Sequence, residues 1–164
     1  MVVSHRGTVL ERMADKATRV ITIDAPGQAC FDVAVDFERY PEWAGDIKEV
    51  TVAERDPEGR GVVVRFRTAA FGRSTSYTLR YDYAEAPKVL SWVEVEGDLT
   101  STLDGAYVFA DISAGGAPVT EVTYHLEAQL KLPIPGFVKR RAEGRIMHTA
   151  LRQLKARVEA AHAE

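Results

Sequence analysis

Tyrosines at alternate positions are the residues of this sequence with the clearest capacity for chemistry. Residues 75–83 place Tyr77, Tyr81 and Tyr83 on one side of a two-residue repeat, with Leu79 between them. Such alternation is typical of a half-buried β-strand. A tyrosine combines a large apolar ring with a hydroxyl group that needs a hydrogen-bond partner when it is buried. Inward tyrosines therefore indicate either a ligand cavity or a packed core whose hydroxyl groups reach the surface.

Acidic and basic side chains give a weaker indication of catalysis. An enzyme that removes a carbon-bound proton needs a base, and it needs donors that hold the enolate oxygen. Inward strand positions carry mostly Tyr, Val and Leu, whereas alternation directs Arg65 and Arg67 towards solvent. No inward carboxylate–arginine pair is predicted, so the catalytic residues stay unknown. The acid–base candidates are Glu94, Asp104, Glu143 and Arg145.

Metal and thiol chemistry has little support. The four histidines, His5, His125, His148 and His162, show neither HxxxH nor HExxH spacing. Cys30 is the one cysteine of the sequence, so neither a disulfide nor a cysteine zinc site is available. No GxSxG and no glycine-rich phosphate loop before a helix occurs. We therefore predict no metal and no cofactor.

Length and charge narrow the class of protein. The 164 residues fit one domain, and a formal net charge of −3 argues against a nucleic-acid partner. No apolar run reaches the roughly 18 residues that a membrane span needs. Residues 1–12 lack a regular pattern and are predicted to be a flexible extension before a single domain over residues 13–164. The single cysteine and the missing secretory signal favour the cytoplasm.

The elements that must position these side chains follow a simple order. A strand near residues 17–24 precedes two short helices, of which the second includes Pro41. Six strands joined by short turns come next, and this predicts an antiparallel meander. A long C-terminal helix from Phe137 to about His162 carries apolar residues at helical spacing, namely Ala142, Met147, Leu151, Leu154 and Val158. Its apolar stripe must cover one sheet face, and twisted strands must curl around it.

Six segments together resemble a known superfamily over roughly residues 16–160. They are residues 23–26 (IDAP), 31–33 (FDV), 36–43 (DFERYPEW), 90–92 (LSW), 103–107 (LDGAY) and 120–124 (TEVTY). The chain resembles the START/SRPBCC helix-grip superfamily, including its polyketide cyclase/dehydrase and lipid-transport proteins. This resemblance implies an α+β fold in which a curved seven-stranded antiparallel sheet surrounds the long helix. It also implies a cavity between sheet and helix that holds a hydrophobic or amphipathic molecule.

Given that resemblance, the large inward side chains become the expected ligand-binding residues. Leu132, Ile134 and Phe137 are too apolar for an exposed connector and are interpreted as part of a gate, or alternatively as a lid packed on the sheet edge. The full set is Trp43, Phe66, Tyr77, Tyr81, Trp92, Tyr107, Tyr124, Phe137 and Met147.

Three functions remain open from the sequence. The first is a carrier or sensor that binds a lipid, isoprenoid or polyketide-like molecule in the cavity. The second is a metal-free polyketide cyclase, aromatase or dehydratase that uses polar residues in the same cavity. The third is an interaction module. The basic run Lys139, Arg140 and Arg141 predicts a weak contact with a membrane surface or, alternatively, a solvated face. The sequence leaves the oligomeric state open.

Overall fold

The computed structural model describes residues 17–70 and 72–163, so the extension predicted over residues 1–12 lies outside it. The strands are β1 (Ala17–Ile23), β2 (Ile47–Arg55), β3 (Gly61–Ala70), β4 (Arg73–Asp82), β5 (Val89–Gly97), β6 (Thr100–Asp111) and β7 (Thr120–Leu130). The helices are α1 (Gly27–Val35), a 3₁₀ helix (Phe37–Glu42) and the long α2 (Gly136–Ala163).

All seven strands form one antiparallel sheet in the order β1-β7-β6-β5-β4-β3-β2. Six consecutive strands make the predicted meander, and β1 joins it by pairing with β7. The register places aromatic residues opposite one another on the inner face, for example Phe66 opposite Tyr77 and Tyr107 opposite Tyr124. Side chains directly opposite in an antiparallel pair lie close enough to pack. The inner face is therefore an aromatic surface that several strands build together.

The two short helices cover part of this inner face. α1 buries Cys30 and Phe31, and the Phe31 ring meets Phe109 edge-on with centroids 6.2 Å apart. The 3₁₀ helix includes Pro41 and buries Phe37, whose ring lies 4.5 Å from that of Tyr81. These helices place rings from the N-terminal part of the chain against strands β4 and β6.

The long helix α2 packs on the sheet through one stripe of buried residues, Met147, Leu151, Leu154 and Val158. Spacings of three and four residues keep these side chains on one side of a helix. Polar contacts tie its C-terminal half to the end of β1, because Lys155 Nζ donates to Thr22 O at 2.7 Å and Glu159 Oε2 accepts from Asp24 N at 2.9 Å. The arrangement confirms the helix-grip α+β fold.

Gly105 on β6 allows an indole ring to lie against the strand. A Cβ atom at this position would sit 2.6 Å from the Trp92 ring and 2.6 Å from His125 O. Real Cβ atoms do not approach other heavy atoms so closely, so a larger residue must displace Trp92 or the paired strand β7. The packing of Trp92 on the inner face therefore depends on a glycine at position 105.

We expect Gly105→Ala to lower the free energy of unfolding by about 1–3 kcal/mol, because overpacking forces side chains and backbone to shift. Gly116→Ala is the matched control, since no atom lies within 4 Å of a Cβ there. Urea unfolding of both variants measures the difference. Equal stabilities for the two variants would contradict the packing argument.

Candidate functional site

A cavity of about 370 Å³ lies between the sheet and the N-terminal half of α2. Strands β3 to β7 form its floor, and the 3₁₀ helix together with Trp43 and Ala44 closes one side. Most side chains of α2 that face it come from a second stripe, which includes Ala142, Ile146, Thr149 and Gln153, and Glu143 of the buried stripe also reaches the cavity wall. The second stripe lies one residue away from the buried stripe of the same helix. α2 thus seals the core with one side and covers the cavity with the next.

Seven of the nine predicted ligand-binding residues lie in the cavity wall. They are Trp43, Phe66, Tyr77, Tyr81, Trp92, Tyr107 and Tyr124. Their rings form a nearly continuous network: Phe66 stacks on Tyr77 with centroids 5.3 Å apart, and Tyr107 lies 4.7 Å from Tyr124. The Trp92 ring lies 5.3 Å from Tyr107 and so connects neighbouring strands. Both tryptophans of the chain therefore face this cavity.

The other two predicted residues, Met147 and Phe137, do not line the cavity. Met147 has no exposed surface and belongs to the buried stripe of α2. Each helical residue turns by about 100°, so the neighbouring Ile146 faces the cavity while Met147 faces the core. Phe137 is 62% exposed in the first turn of α2. Leu132, in the segment before α2, is 63% exposed as well.

The tyrosine hydroxyl groups divide into two kinds. Tyr40 donates to Ala34 O, and Tyr83 donates to Gly61 O at 2.6 Å, so both have backbone partners. Within residues 17–70 and 72–163, no hydrogen-bond partner is found for the hydroxyls of Tyr77, Tyr81, Tyr107 and Tyr124, which line the cavity together with Tyr40. Burial raises the pKa of each of these four phenols above its ordinary value of 10.0. At neutral pH they are neutral groups that can both donate and accept hydrogen bonds.

Glu143 is the buried acidic side chain of the cavity wall. It is only 6% exposed, and its Oε2 atom has no partner among the described residues. Burial raises the pKa of Glu143 above 4.5, while Lys139, the backbone of Ala128 and Arg140 oppose that shift. The sequence named Glu143 as an acid–base candidate but did not place it inward. Its position four residues before Met147, on the same helical stripe, was the signal that could have done so.

Glu94 is a second acid with a buried, unpartnered oxygen. Its Oε2 atom accepts from the Thr100 hydroxyl, and its Oε1 atom has no partner among the described residues. Burial is the main cause that raises the pKa of Glu94, and Asp104 adds to it. Glu94 pairs with the cavity residue Leu79 on the neighbouring strand, and Thr100 also lines the cavity. This carboxyl group therefore lies beside the cavity rather than in its wall.

The remaining acid–base candidates, Asp104 and Arg145, lie on different sides of the sheet. Asp104 lies opposite Glu127, in a wide depression of about 1130 Å³ on the outer side of the sheet. There it accepts a hydrogen bond from Glu94 N at 2.9 Å. This depression is larger than the inner cavity but open to solvent, so it does not isolate a small molecule from water. Arg145, by contrast, lies in the wall of the inner cavity with Glu143.

Apolar and basic side chains meet where the cavity reaches the surface. Ile146 lines the cavity and is 51% exposed, which places an opening beside the first half of α2. We call the exposed apolar residues of the segment before α2 and of its first half the mouth patch, consisting of Leu132, Ile134, Phe137, Val138 and Ile146; of these, Ile146 lines the cavity. Lys139, Arg140 and Arg141 interrupt this patch. No helix within residues 17–70 and 72–163 has both the length and the apolarity to cross a membrane.

The sheet, the covering helix and the enclosed aromatic cavity define a START-like fold with a ligand-sized interior. A family model described as "Polyketide cyclase / dehydrase and lipid transport" matches residues 14–159. The chain belongs to this family. A comparison with curated proteins gives no significant match.

Several solved structures share the fold at low sequence identity. A START superfamily protein from Mycobacterium smegmatis is 22% identical, with a TM-score of 0.82 over 89% of this chain and 98% of that one. The Zhui aromatase/cyclase from Streptomyces sp. R1128 is 16% identical, with a TM-score of 0.73 over 88% and 93% of the two chains. A protein from Thermus thermophilus is 22% identical, with a TM-score of 0.69 over 89% and 98%. These similarities establish the fold.

We expect Glu143→Met to raise the free energy of unfolding by about 1–3 kcal/mol at neutral pH, because it removes a buried polar atom without a partner. The folded protein holds the Glu143 proton more tightly than the unfolded chain, so the cost of Glu143 grows as pH rises from about 4.5 through the raised pKa. The advantage of the variant must therefore shrink at acidic pH. Denaturant unfolding across a pH series measures it.

Glu127→Met is the control for this experiment, because Glu127 lies on the outer face of β7. Its effect should stay within about 0.5 kcal/mol and should not follow the same pH dependence. A loss of stability in Glu143→Met would show instead that the carboxyl group supports the fold.

Proposed function

We propose that this protein binds a hydrophobic or amphipathic small molecule in the inner cavity and acts as its carrier or sensor. The aromatic cavity between the sheet and α2 is the observation that carries the proposal. Its volume of about 370 Å³ falls within the roughly 300–1,000 Å³ of small-molecule sites. Ring faces supply apolar contact area, and neutral hydroxyl groups supply a few polar contacts that orient a ligand.

The residues opposite the rings also support this proposal. Small side chains of α2, Ala142 and Ala150, line the cavity across from the aromatic wall, and Ala128 lies on the sheet beside the rings. Aliphatic side chains of larger volume at these positions would fill the space, as close packing in ordinary cores requires. A lipid, an isoprenoid or a polyketide-like compound matches the resulting combination of apolar walls and dispersed hydroxyl groups.

We expect Ala128→Phe to abolish ligand binding while the protein stays folded, because the new ring occupies cavity volume. Ala110→Phe is the matched control, since Ala110 is exposed on the neighbouring strand β6. Native mass spectrometry of gently purified protein should detect an apolar ligand on the wild type and on Ala110→Phe, but not on Ala128→Phe. Ligand retained equally by both variants would contradict binding in this cavity.

An enzymatic function in the same cavity is the second candidate, and Glu143 favours it. A cyclase must remove a carbon-bound proton, and the resulting enolate carbon then attacks a ketone carbon of the same chain. The new carbon–carbon bond forms as the ketone becomes a hydroxyl group, which leaves with a proton as water. Glu143 and Arg145 could supply a proton acceptor and an anion-stabilising donor, because both line the cavity.

The fate of the ligand distinguishes the two candidates. A carrier returns a poly-β-ketone probe chemically unchanged, whereas a cyclase releases a product lighter by one water, and Glu143→Gln abolishes that conversion. Mass spectrometry of the released probe measures the outcome. Glu127→Gln serves as the control, because its carboxyl group lies on the outer face.

We further propose that the mouth patch contacts an anionic membrane surface when the ligand is exchanged. Phe137 and Leu132 are more than 60% exposed, and they precede the cations Lys139, Arg140 and Arg141 by a few residues along the chain. Apolar side chains that enter the lipid interface together with cations that attract its phosphates are typical of peripheral membrane contacts. The positive charge of this surface favours an anionic lipid as the partner, although the whole chain has a net charge of −3.

We expect the double variant Arg140→Ala, Arg141→Ala to weaken binding to phosphatidylglycerol vesicles by about tenfold or more, at about 1 kcal/mol per basic residue. Phe137→Ser should weaken it as well, because it removes an apolar contact. Val95→Ser is the control, since Val95 is 54% exposed on a strand at the outer face. Vesicle flotation measures binding, and equal flotation of all variants would contradict the proposed contact.

A further inference from the structure

Glu143 occupies a position where the cavity, the helix and the last strand meet. It lies on α2 in the cavity wall, and the backbone of Ala128 on β7 is close enough to affect its pKa. Ala128 follows Tyr124 by four residues on the same inner face, which corresponds to about 13 Å along the strand at roughly 3.3 Å per residue. The cavity therefore has polar groups towards both of its ends, with apolar rings and aliphatic side chains between them.

The unpartnered Oε2 atom of Glu143 needs a hydrogen-bond partner that residues 17–70 and 72–163 do not provide. A buried polar atom without a partner costs folding free energy, so such atoms are rare unless they serve a purpose. Lys139 and Arg140 are near enough to influence Glu143, yet neither forms an ion pair with it. Glu143 lines the inner cavity, so a molecule within the cavity can supply the missing hydrogen bond.

The chemistry of this partner follows from the chemistry of a carboxyl group. An ionised carboxylate only accepts hydrogen bonds, whereas a protonated carboxyl group both donates and accepts. A hydroxyl group can donate to the first and can exchange hydrogen bonds with the second. An ether or ester oxygen only accepts, and a hydrocarbon does neither. A hydroxyl group thus satisfies Glu143 in both protonation states.

We propose that Glu143 selects hydroxylated ligands, so that an alcohol or phenol places its hydroxyl group on Glu143 and its apolar body among the cavity rings. This inference rests on the proposed binding function and makes Glu143 the specificity-determining residue of the site. The free hydroxyl groups of Tyr107 and Tyr124 towards the other end then contact a second oxygen of the ligand where it has one.

Three matched probes test this assignment: para-butylphenol, para-butylanisole and butylbenzene. They share a ring and an alkyl chain, and they differ in whether the substituent donates, only accepts or is absent. Quenching of tryptophan fluorescence reports binding, because Trp43 and Trp92 are the two tryptophans of the chain and both line the cavity. Wild-type protein should bind para-butylphenol about tenfold more tightly than para-butylanisole.

Two substitutions at position 143 separate hydrogen bonding from shape. Glu143→Met should bring the phenol and anisole affinities to within about twofold of each other while butylbenzene still binds. Glu143→Gln keeps a carbonyl acceptor and should retain most of the preference for the phenol. Glu127→Gln, on the outer face, should leave the wild-type preference unchanged.

The outcomes distinguish this inference from the function on which it rests. If the wild type binds all three probes with equal affinity, or if Glu143→Met keeps the preference for the phenol, Glu143 does not select the ligand although the cavity still binds one. If no probe binds the wild type, or if Ala128→Phe binds the probes as tightly as the wild type does, the proposed binding function itself fails.

Discussion

The packing of α2 against β1 and β7 holds one side of the sheet and leaves the other side uncovered. Neighbouring strands lie about 4.8 Å apart, so seven strands span roughly 29 Å of curved sheet. A helix with its side chains is only about 10–12 Å across and covers two or three strands. The short helices cover a further part through Phe31 and Phe37. The space that remains is the inner cavity, so its presence follows from the width of the sheet relative to one helix.

The cavity wall is chemically mild. Its phenols are neutral at physiological pH, and burial raises the pKa of Tyr81, Tyr107 and Tyr124 further above 10.0, so they serve as hydrogen-bond partners rather than as bases. One buried acid, Glu143, lines the cavity, as does the exposed Asp46, and Glu94 is held beside the cavity by Thr100. Such a wall suits recognition of an amphipathic molecule. Catalysis in the same cavity requires only one or two proton transfers in addition to binding. Binding and catalysis are therefore close alternatives in this fold.

Strand residues were easier to place from the sequence than helix residues. Alternation in β4 directed Tyr77 and Tyr81 inward, because successive strand side chains point to opposite faces whatever their neighbours are. On α2 a shift of one residue moves a side chain from the core to the cavity. Hydropathy does not distinguish Ile146 from Met147, yet Ile146 lines the cavity and Met147 is buried in the core. Glu143 stands among charged residues, and only its spacing from Met147 reveals that it is buried. Phe137 is apolar yet exposed. Its exposure depends on tertiary packing, which the local sequence pattern does not predict.

The single thiol of the chain, Cys30, can report the separation of α1 from the sheet. Cys30 lies on the buried face of α1, and burial raises its pKa to about 11, so it reacts slowly with alkylating reagents while the helix is docked. Since no second cysteine competes, labelling kinetics would follow the exposure of this one site, through undocking of α1 or through global unfolding. The protein thus contains a built-in reporter of local unfolding, whose rate could be compared with and without an occupied cavity.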